Sequence, residues 1–299
     1  MTTTIFLPLI FAIISPFIWG FMNVLDKFVV SHRVKSPLSF TIVAGIVNLA
    51  IGIILALFLN WTNIAVNDLF FPAIAGLIFG SQFFLYYYLL GKEDVSNLIG
   101  FVYVYPIIVA ILSFLFLNEK LSLISYLGMS MILLGVIFLS VKAKQIRLKV
   151  SLWMIVSLIV IVALYEFFIK IATNNLPELN GIAISGICVG LIILPGLFNK
   201  KIRLGFPKEL KNIKWALLNE SLTFLGIFTT YFAMVGLPAT IVSSISATQP
   251  FAVLILESIA HKIGIKISVE NNLNKNIIPI LLIVFGVVLL YLPEIIALI

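Results

Sequence analysis

The stretch Tyr103-Val-Tyr-Pro-Ile-Ile-Val-Ala-Ile-Leu112 recurs 144 positions later as Ala247-Thr-Gln-Pro-Phe-Ala-Val-Leu-Ile-Leu256. Four matched positions are identical, and the same shift aligns further identical pairs, Phe84 with Phe228 and Tyr87 with Tyr231. Both copies lie in almost continuous hydrophobic sequence. We therefore interpret the chain as a membrane protein built from two related halves, an organisation typical of transporters of small molecules.

The composition supports a membrane location. Of the 299 residues, 62% are hydrophobic and only 10% are charged, whereas about 25% are charged in soluble proteins. A membrane-spanning helix needs about 20 apolar residues, and stretches of that kind lie at 5–25, 37–59, 69–90, 95–117, 123–141, 151–172, 180–198, 213–235, 239–261 and 277–298. These ten predicted spans leave too few residues for a soluble domain.

The distribution of basic residues predicts the topology. Of the 19 Lys and Arg residues, 17 fall in loops that follow odd-numbered spans, and the exceptions are Lys120 and Lys170. Because basic loops remain cytoplasmic, we expect the odd loops inside and both termini outside. Five spans per half is an odd number, so the second half must be inverted relative to the first. The predicted division is a first repeat at 1–141, a basic linker at 142–150 and a second repeat at 151–299.

Several motifs resemble a known family. Phe17-Ile-Trp-Gly-Phe-Met-Asn23, Leu117-Asn-Glu-Lys-Leu-Ser122 and Leu134-Gly-Val136 are similar to the EamA repeat of the drug/metabolite transporter superfamily. The resemblance implies an all-α integral membrane protein, a basket of ten helices in two inverted five-helix repeats. It also implies a central cavity lined by spans one, three, four, six, eight and nine, with the fifth span of each half at the periphery.

The chain departs from the family pattern in two places. Asn118 replaces the usual Gly of the turn, and the loop at 59–67 lacks the Lys or Arg residues that members typically carry after span two. The basic loop follows span seven instead. Members with this repeat have cytoplasmic termini, so either this chain is inserted in the opposite sense or the charge rule fails here. We favour the opposite insertion.

Carboxyl groups inside the spans are candidates for ion or substrate binding, because an ionisable group in a membrane is costly unless it is paired or hydrated. Glu166, Glu220 and Glu257 are the three candidates for proton coupling. Glu166 lies one turn before Lys170, so it either forms an ion pair with that lysine or faces the cavity. Glu257 either takes part in coupling or reaches the lipid headgroups.

Aromatic and amide side chains complete the predicted substrate site. The candidates for cavity lining are Trp19, Asn23, Gln82, Tyr86, Tyr103, Tyr165, Glu166, Glu220, Tyr231, Ser246 and Gln249. Aromatic residues in spans also serve packing, which is the alternative for each of them. Pro106 and Pro250 are expected to kink the matched spans four and nine. Gly128 and Gly135 suit a close helix contact within the basket or in a homodimer.

The same residues restrict the function. All three Arg residues lie in loops, which disfavours phosphorylated substrates, whereas carboxyl groups beside aromatic rings suit a zwitterion or an amphipathic cation. We predict a secondary transporter of amino acids or related metabolites in the cytoplasmic membrane, working by alternating access as an exporter or exchanger.

Alternatives are a carrier of lipid-linked compounds or nucleotide sugars, or a membrane enzyme or receptor. Motifs for catalysis, metals, cofactors or nucleic acid are not found, so no such partner is expected, and the chain is a monomer or homodimer.

Overall fold

A computed structural model describes residues 2–92, 102–141, 150–174, 176–262 and 277–296. Within these ranges the chain is helical and contains no β-strand. Residues 142–149 of the predicted linker at 142–150 lie outside the described ranges. The helices of the first half are α1 (Thr2–His32), α2 (Pro37–Leu57), α3 (Phe70–Leu90), α4 (Pro106–Phe116) and α5 (Leu123–Val141).

The second half repeats this order with one addition. Its helices are α6 (Leu152–Ala172), α7 (Glu178–Ile193), α8 (Lys200–Glu209), α9 (Ile213–Gly236), α10 (Ala239–Ser246), α11 (Gln249–Lys262) and α12 (Ile277–Ile296). The short basic helix α8 lies in the loop after span seven, where no helix was predicted. Span nine is divided into α10 and α11. The described helices therefore account for the ten predicted spans.

The first span is longer than predicted. We expected it to end at residue 25, before Asp26 and Lys27, whereas α1 continues to His32. The prediction was wrong because it treated the charged pair as the end of the apolar stretch. Asp26 is in fact buried by neighbouring helices, with 1% of its surface exposed, so the span carries a carboxyl group that the hydropathy pattern did not show.

The packing of the helices has the symmetry of an inverted repeat. Helix α1 packs on α9, and α6 packs on α3. The two contacts are equivalent, because each joins the first span of one half to the third span of the other half. The corresponding spans two and seven pack on each other as α2 and α7, and spans five and ten pack as α5 and α12. The fold is thus two inverted five-helix repeats that interlock.

Glycines allow the closest of these approaches. A Cβ atom at Gly128 would lie 2.5 Å from the backbone nitrogen of Leu290, and one at Gly286 would lie 2.7 Å from the carbonyl oxygen of Gly128. A Cβ atom at Gly135 would lie 2.8 Å from the carbonyl oxygen of Pro279. The small residues of span five therefore bring α5 against α12 within one chain.

Two odd-numbered loops are joined at one end of the bundle. Oε1 of Glu209, the last residue of α8, accepts hydrogen bonds from the backbone N–H groups of Lys35 and Ser36, both at 3.0 Å. Ser36 is also the N-cap of α2, since its hydroxyl oxygen accepts from the N–H of Ser39. The basic loop after span seven and the loop after span one therefore lie on the same side of the membrane.

Candidate functional site

A central cavity lies where the two halves meet. Its walls come from α1, α3, α6 and α9, from the residues just before α4 and from the junction of α10 and α11. These are spans one, three, four, six, eight and nine, the set that the family resemblance implies. The space not occupied by protein atoms, including the open mouth of the cavity, is about 860 Å³.

The structure brings most of the predicted site residues together around this cavity. Ten of the eleven candidates line it: Trp19, Asn23, Gln82, Tyr86, Tyr103, Tyr165, Glu166, Glu220, Ser246 and Gln249. Tyr231 does not, because its hydroxyl oxygen lies 3.0 Å from Oγ of Ser185, between α9 and α7. The side chain of Glu257 lies outside the described part of the chain.

Asp26 stands at the centre of a hydrogen-bond network at one end of the cavity. Its Oδ1 accepts from the hydroxyl of Tyr87 at 3.0 Å and from Nδ2 of Asn219 at 2.6 Å. Its Oδ2 accepts from the hydroxyl of Tyr86 at 3.1 Å, and the same hydroxyl lies 2.8 Å from Oδ1 of Asn23. Three side chains from two helices, α3 and α9, therefore hold this carboxyl group in one orientation.

Sequence reasoning missed Asp26, Asn219 and Asn48 as parts of the site. Helical spacing was the signal that could have found Asp26, because it follows Asn23 by three positions and Trp19 by seven, which places all three on one face of a helix. Asn219 precedes Glu220, a residue already selected. For Asn48, which lies on α2 behind the cavity wall, the sequence held no comparable signal.

Glu220 lies beside this network and is completely buried. Its Oε2 accepts from Nδ2 of Asn48 at 2.5 Å, so a residue of the first half holds a carboxyl group of the second. Its Oε1 has no hydrogen-bond partner among the described residues. Leaving a buried acceptor without a partner costs about 1–3 kcal/mol, which makes this oxygen a candidate ligand-binding atom.

Glu166 lies on the other side of the cavity. Its Oε1 accepts from the hydroxyl of Tyr105 at 3.3 Å, and its Oε2 has no partner within the described ranges. Lys170, which could have formed an ion pair with it, instead donates from Nζ to the carbonyl oxygens of Met234 at 2.7 Å and Leu237 at 2.9 Å. Of the two interpretations of Glu166, the structure shows the one that faces the cavity.

Hydrogen-bond donors collect near the interruption of span nine. Helix α10 ends at Ser246 and α11 begins at Gln249. The hydroxyl of Tyr103 donates to Oε1 of Gln249, which leaves Nε2 of Gln249 without a partner among the described residues. Oγ of Ser246, at the end of α10, is also buried and has no partner among the described residues.

The matched prolines start helical segments. Pro106 is the first residue of α4 and Pro250 the second of α11, positions where the missing N–H of proline costs no helical hydrogen bond. The three residues before Pro106 form a turn, as do Ala247 and Thr248 before α11. In each half a turn thus precedes a helical segment that begins with or next to the matched proline, beside the cavity.

Aromatic rings form much of the remaining wall. The rings of Phe79 and Tyr165 are stacked with centroids 4.5 Å apart, and Trp19 meets Phe79 edge to face at 6.0 Å. Nε1 of Trp19 donates to the hydroxyl oxygen of Thr230 at 3.3 Å, which fixes the indole. The cavity therefore offers flat apolar surfaces between its polar ends.

The residues with charged side-chain types in the described lining of the cavity are all acidic. Its described lining contains the carboxyl groups of Asp26, Glu166 and Glu220 but no Lys, Arg or His side chain. Within the described ranges, no three His, Cys, Asp or Glu side chains are grouped as ligands of a metal ion. An acidic cavity with aromatic walls suits a ligand that carries a positive charge.

Comparison with known proteins gave three findings. Residues 6–141 match the model of the EamA-like transporter family. The uncharacterized protein MJ1333.1 of Methanocaldococcus jannaschii is 33% identical over 110 residues, which cover 36% of this chain and 79% of that protein. A crystal structure of another protein superposes with a TM-score of 0.68, covering 95% of this chain and 97% of its own at 15% identity; this likeness concerns the fold alone.

Proposed function

We propose that this chain, which belongs to the EamA-like transporter family, carries a small zwitterionic or amphipathic metabolite such as an amino acid through its central cavity. The family consists of transporters, and the chain is a multi-pass membrane protein. The observation that carries the finer proposal is the pairing of buried carboxyl groups with buried, unpartnered hydrogen-bond donors in one cavity.

The acidic side of the cavity would bind the ammonium group of the substrate. Oε2 of Glu166 is buried and lacks a partner among the described residues, so an ammonium group can approach without displacing an existing hydrogen bond. The ring of Tyr165, stacked on Phe79, lies in the same wall. Charge-assisted hydrogen bonds are roughly twice as strong as neutral ones, which makes Glu166 the main substrate-binding residue in this proposal.

The interrupted span would bind the carboxylate of the substrate. Nε2 of Gln249 and Oγ of Ser246 are donors without described partners, and α11 begins at Gln249. The N-terminus of a helix carries a partial positive charge that favours an anion. In transporters with inverted repeats, discontinuous helices place such termini against the anionic group of the substrate.

We further propose that transport proceeds by alternating access between two duplicated units, 1–141 and 151–299, joined by the linker at 142–150. The inverted packing of the helices supports this mechanism, because exchanging the conformations of the two halves would open the cavity to the opposite side. Exchange of a proton at Glu166 is the proposed coupling, and Glu220 and Glu257 stay candidates. Export or exchange is the proposed mode.

A flux assay tests this function. Purified protein in liposomes is expected to accumulate or release a labelled zwitterionic amino acid and the matching amine, whereas the matching acid without an ammonium group is expected to be transported at least about tenfold more slowly. Empty liposomes are the control. Binding without flux would indicate a receptor, and flux restricted to nucleotide sugars or lipid-linked compounds would favour the alternative substrates of the superfamily.

The orientation in the cytoplasmic membrane is a separate prediction. In a Cys188→Ser background, which removes the single cysteine, Lys211→Cys introduces a label site in the exposed loop after span seven and Asn67→Cys introduces one in the loop after span two. We expect a membrane-impermeant maleimide to label Asn67→Cys in intact cells and Lys211→Cys only after permeabilisation. The reverse pattern would show that the termini are cytoplasmic, as is usual in the family.

A further inference from the structure

We propose that Asp26, Glu220, Asn48 and Asn219 form a binding site for a sodium ion at the end of the cavity away from Glu166. Binding of the ion does not depend on the proposed transport function, whereas coupling of the ion to transport rests on it. The four residues come from α1, α9 and α2, so the site joins the two halves of the fold.

The donors paired with the two carboxyl groups in the described residues are the hydroxyls of Tyr86 and Tyr87 and Nδ2 of Asn219, which bind Asp26, and Nδ2 of Asn48, which binds Glu220. The hydroxyl of Thr223, one turn after Asn219 on α9, donates to the backbone carbonyl oxygen of Asn219 at 3.1 Å. The bonds to the carboxyl groups also fix the orientation of both amides, since a flipped amide would place its oxygen against a carboxylate oxygen. The oxygen of each amide is therefore its free atom, available as an acceptor.

Three acceptor oxygens remain without a partner among the described residues: Oε1 of Glu220, Oδ1 of Asn48 and Oδ1 of Asn219. All three side chains are almost fully buried, with at most 2% of their surface exposed. The unsatisfied atoms here are thus all acceptors, in contrast to the donors that remain near Gln249. Carboxylate and amide oxygens are the ligands that hard cations bind.

The charge of this region also calls for a cation. Asp26 and Glu220 are both buried, and the described lining of the cavity contains no basic side chain. Two neighbouring carboxyl groups in a low-dielectric site cannot both stay ionised without a counter-charge.

A sodium ion fits these observations better than a proton or a divalent ion. A proton on one carboxyl group would satisfy a single acceptor, whereas a metal ion can be contacted by several oxygens at once. A calcium ion takes six to eight oxygen ligands and binds most tightly where several carboxylates are present. Two carboxylates and two amides are fewer and less charged, which favours a monovalent ion.

The site would also connect ion binding to the two halves. Asn48 lies on α2 of the first half and does not line the cavity, while Glu220 and Asn219 lie on α9 of the second half. An ion bound among them would stabilise the arrangement of helices in which these residues meet. Because the ion would bind more tightly to the access state that has this arrangement, it would favour that state over the other.

Thermal unfolding of the purified full-length protein in detergent tests the site without any substrate. At constant pH and ionic strength, replacing choline chloride by sodium chloride is expected to raise the melting temperature by about 3 °C or more once sodium exceeds its dissociation constant about tenfold. Asp26→Asn and Glu220→Gln are expected to abolish this rise. Glu166→Gln, at the other side of the cavity, is the matched control and should keep it.

Asn48→Ser provides a second variant should the carboxyl variants fail to fold, because it removes one proposed ligand while leaving both carboxyl groups in place. It is expected to weaken the apparent sodium affinity by at least about tenfold. Equal melting temperatures in sodium and choline chloride would overturn the proposal. So would a stabilisation that follows pH and ignores sodium, since that identifies a proton site. Sodium-dependent stabilisation without flux would leave this site standing and refute the transport function instead.

Discussion

Glu166→Gln is expected to lower the initial rate of transport of a zwitterionic or cationic substrate by about 100-fold or more. The substitution keeps the size of the side chain but removes the negative charge beside the proposed ammonium site. Truncating one partner of a buried charge pair costs about 2–5 kcal/mol, and each 1.4 kcal/mol corresponds to a factor of ten. The measurement is uptake of labelled substrate into proteoliposomes in which the variant is reconstituted at the same protein density as the wild type.

A matched control comes from an acid outside the cavity. Glu178 lies in the first turn of α7 and does not line the cavity, so Glu178→Gln should transport at a rate within about twofold of the wild type. If Glu166→Gln also retains both the rate and its dependence on pH, the carboxyl group at 166 neither binds the substrate nor exchanges a proton. Single replacements of Glu220 and Glu257 by Gln extend the same comparison to the other two candidates for coupling.

The fold could be predicted from the sequence because the repeat and the hydropathy pattern extend over long stretches of the chain. An error of a few residues at one end does not change the number of spans, and the inversion follows from five spans per half. The same robustness explains why ten candidates line one cavity. Polar and aromatic residues at helical spacing in otherwise apolar spans have few other places to lie.

The site residues that were predicted wrongly or missed are those whose contacts depend on the exact position of a residue in its helix. Asp26 was lost because it stands one residue beyond the predicted end of the first span, next to Lys27, and adjacent opposite charges resemble the end of a span. Tyr231, a predicted cavity residue, matches Tyr87 in the repeat, yet Tyr87 binds Asp26 whereas Tyr231 contacts Ser185. Matched positions share their place in the fold and not their hydrogen-bond partners.

Partners that are distant in sequence could not be predicted at all. Asn48 and Glu220 are 172 positions apart, and their contact depends on the packing of α2 beside α9. An ion pair with Glu166, one turn away on the same helix, was one of the two interpretations that the sequence left open for Lys170. The structure instead directs Lys170 to the end of another helix, because the carbonyl groups of a C-terminus attract a cation.

That contact of Lys170 belongs to a matched pair of anchors. Nζ of Lys170 donates to the carbonyl oxygens at the C-terminus of α9, and Nζ of Lys27 donates to the carbonyl oxygen of Leu90 at the C-terminus of α3. The two lysines are 143 positions apart, one position from the shift of the repeat. Because the halves are inverted, the anchors lie at opposite ends of the bundle.

Lys170→Met is expected to reduce transport by about tenfold or more. The change leaves the carbonyl groups of Met234 and Leu237 without their donor, which costs about 1–3 kcal/mol, and it frees the turn that joins α9 to α10. The carboxylate of Glu119 holds the other side of this turn by accepting from the N–H of Ala239 at 2.9 Å. Since α10 ends at Ser246, movement of the turn would disturb the proposed carboxylate site of the substrate.

The measurement for Lys170→Met is again flux into proteoliposomes, paired with substrate-induced thermal stabilisation, which reports binding separately from transport. Lys170→Arg is the matched variant, since its guanidinium group can still donate to both carbonyl oxygens, and it should retain most of the activity. Lys27→Met should produce a comparable loss if the two anchors serve equivalent steps at opposite membrane surfaces. If Lys170→Met transports at the wild-type rate, the anchor is structural and the turn between α9 and α10 does not control passage through the cavity.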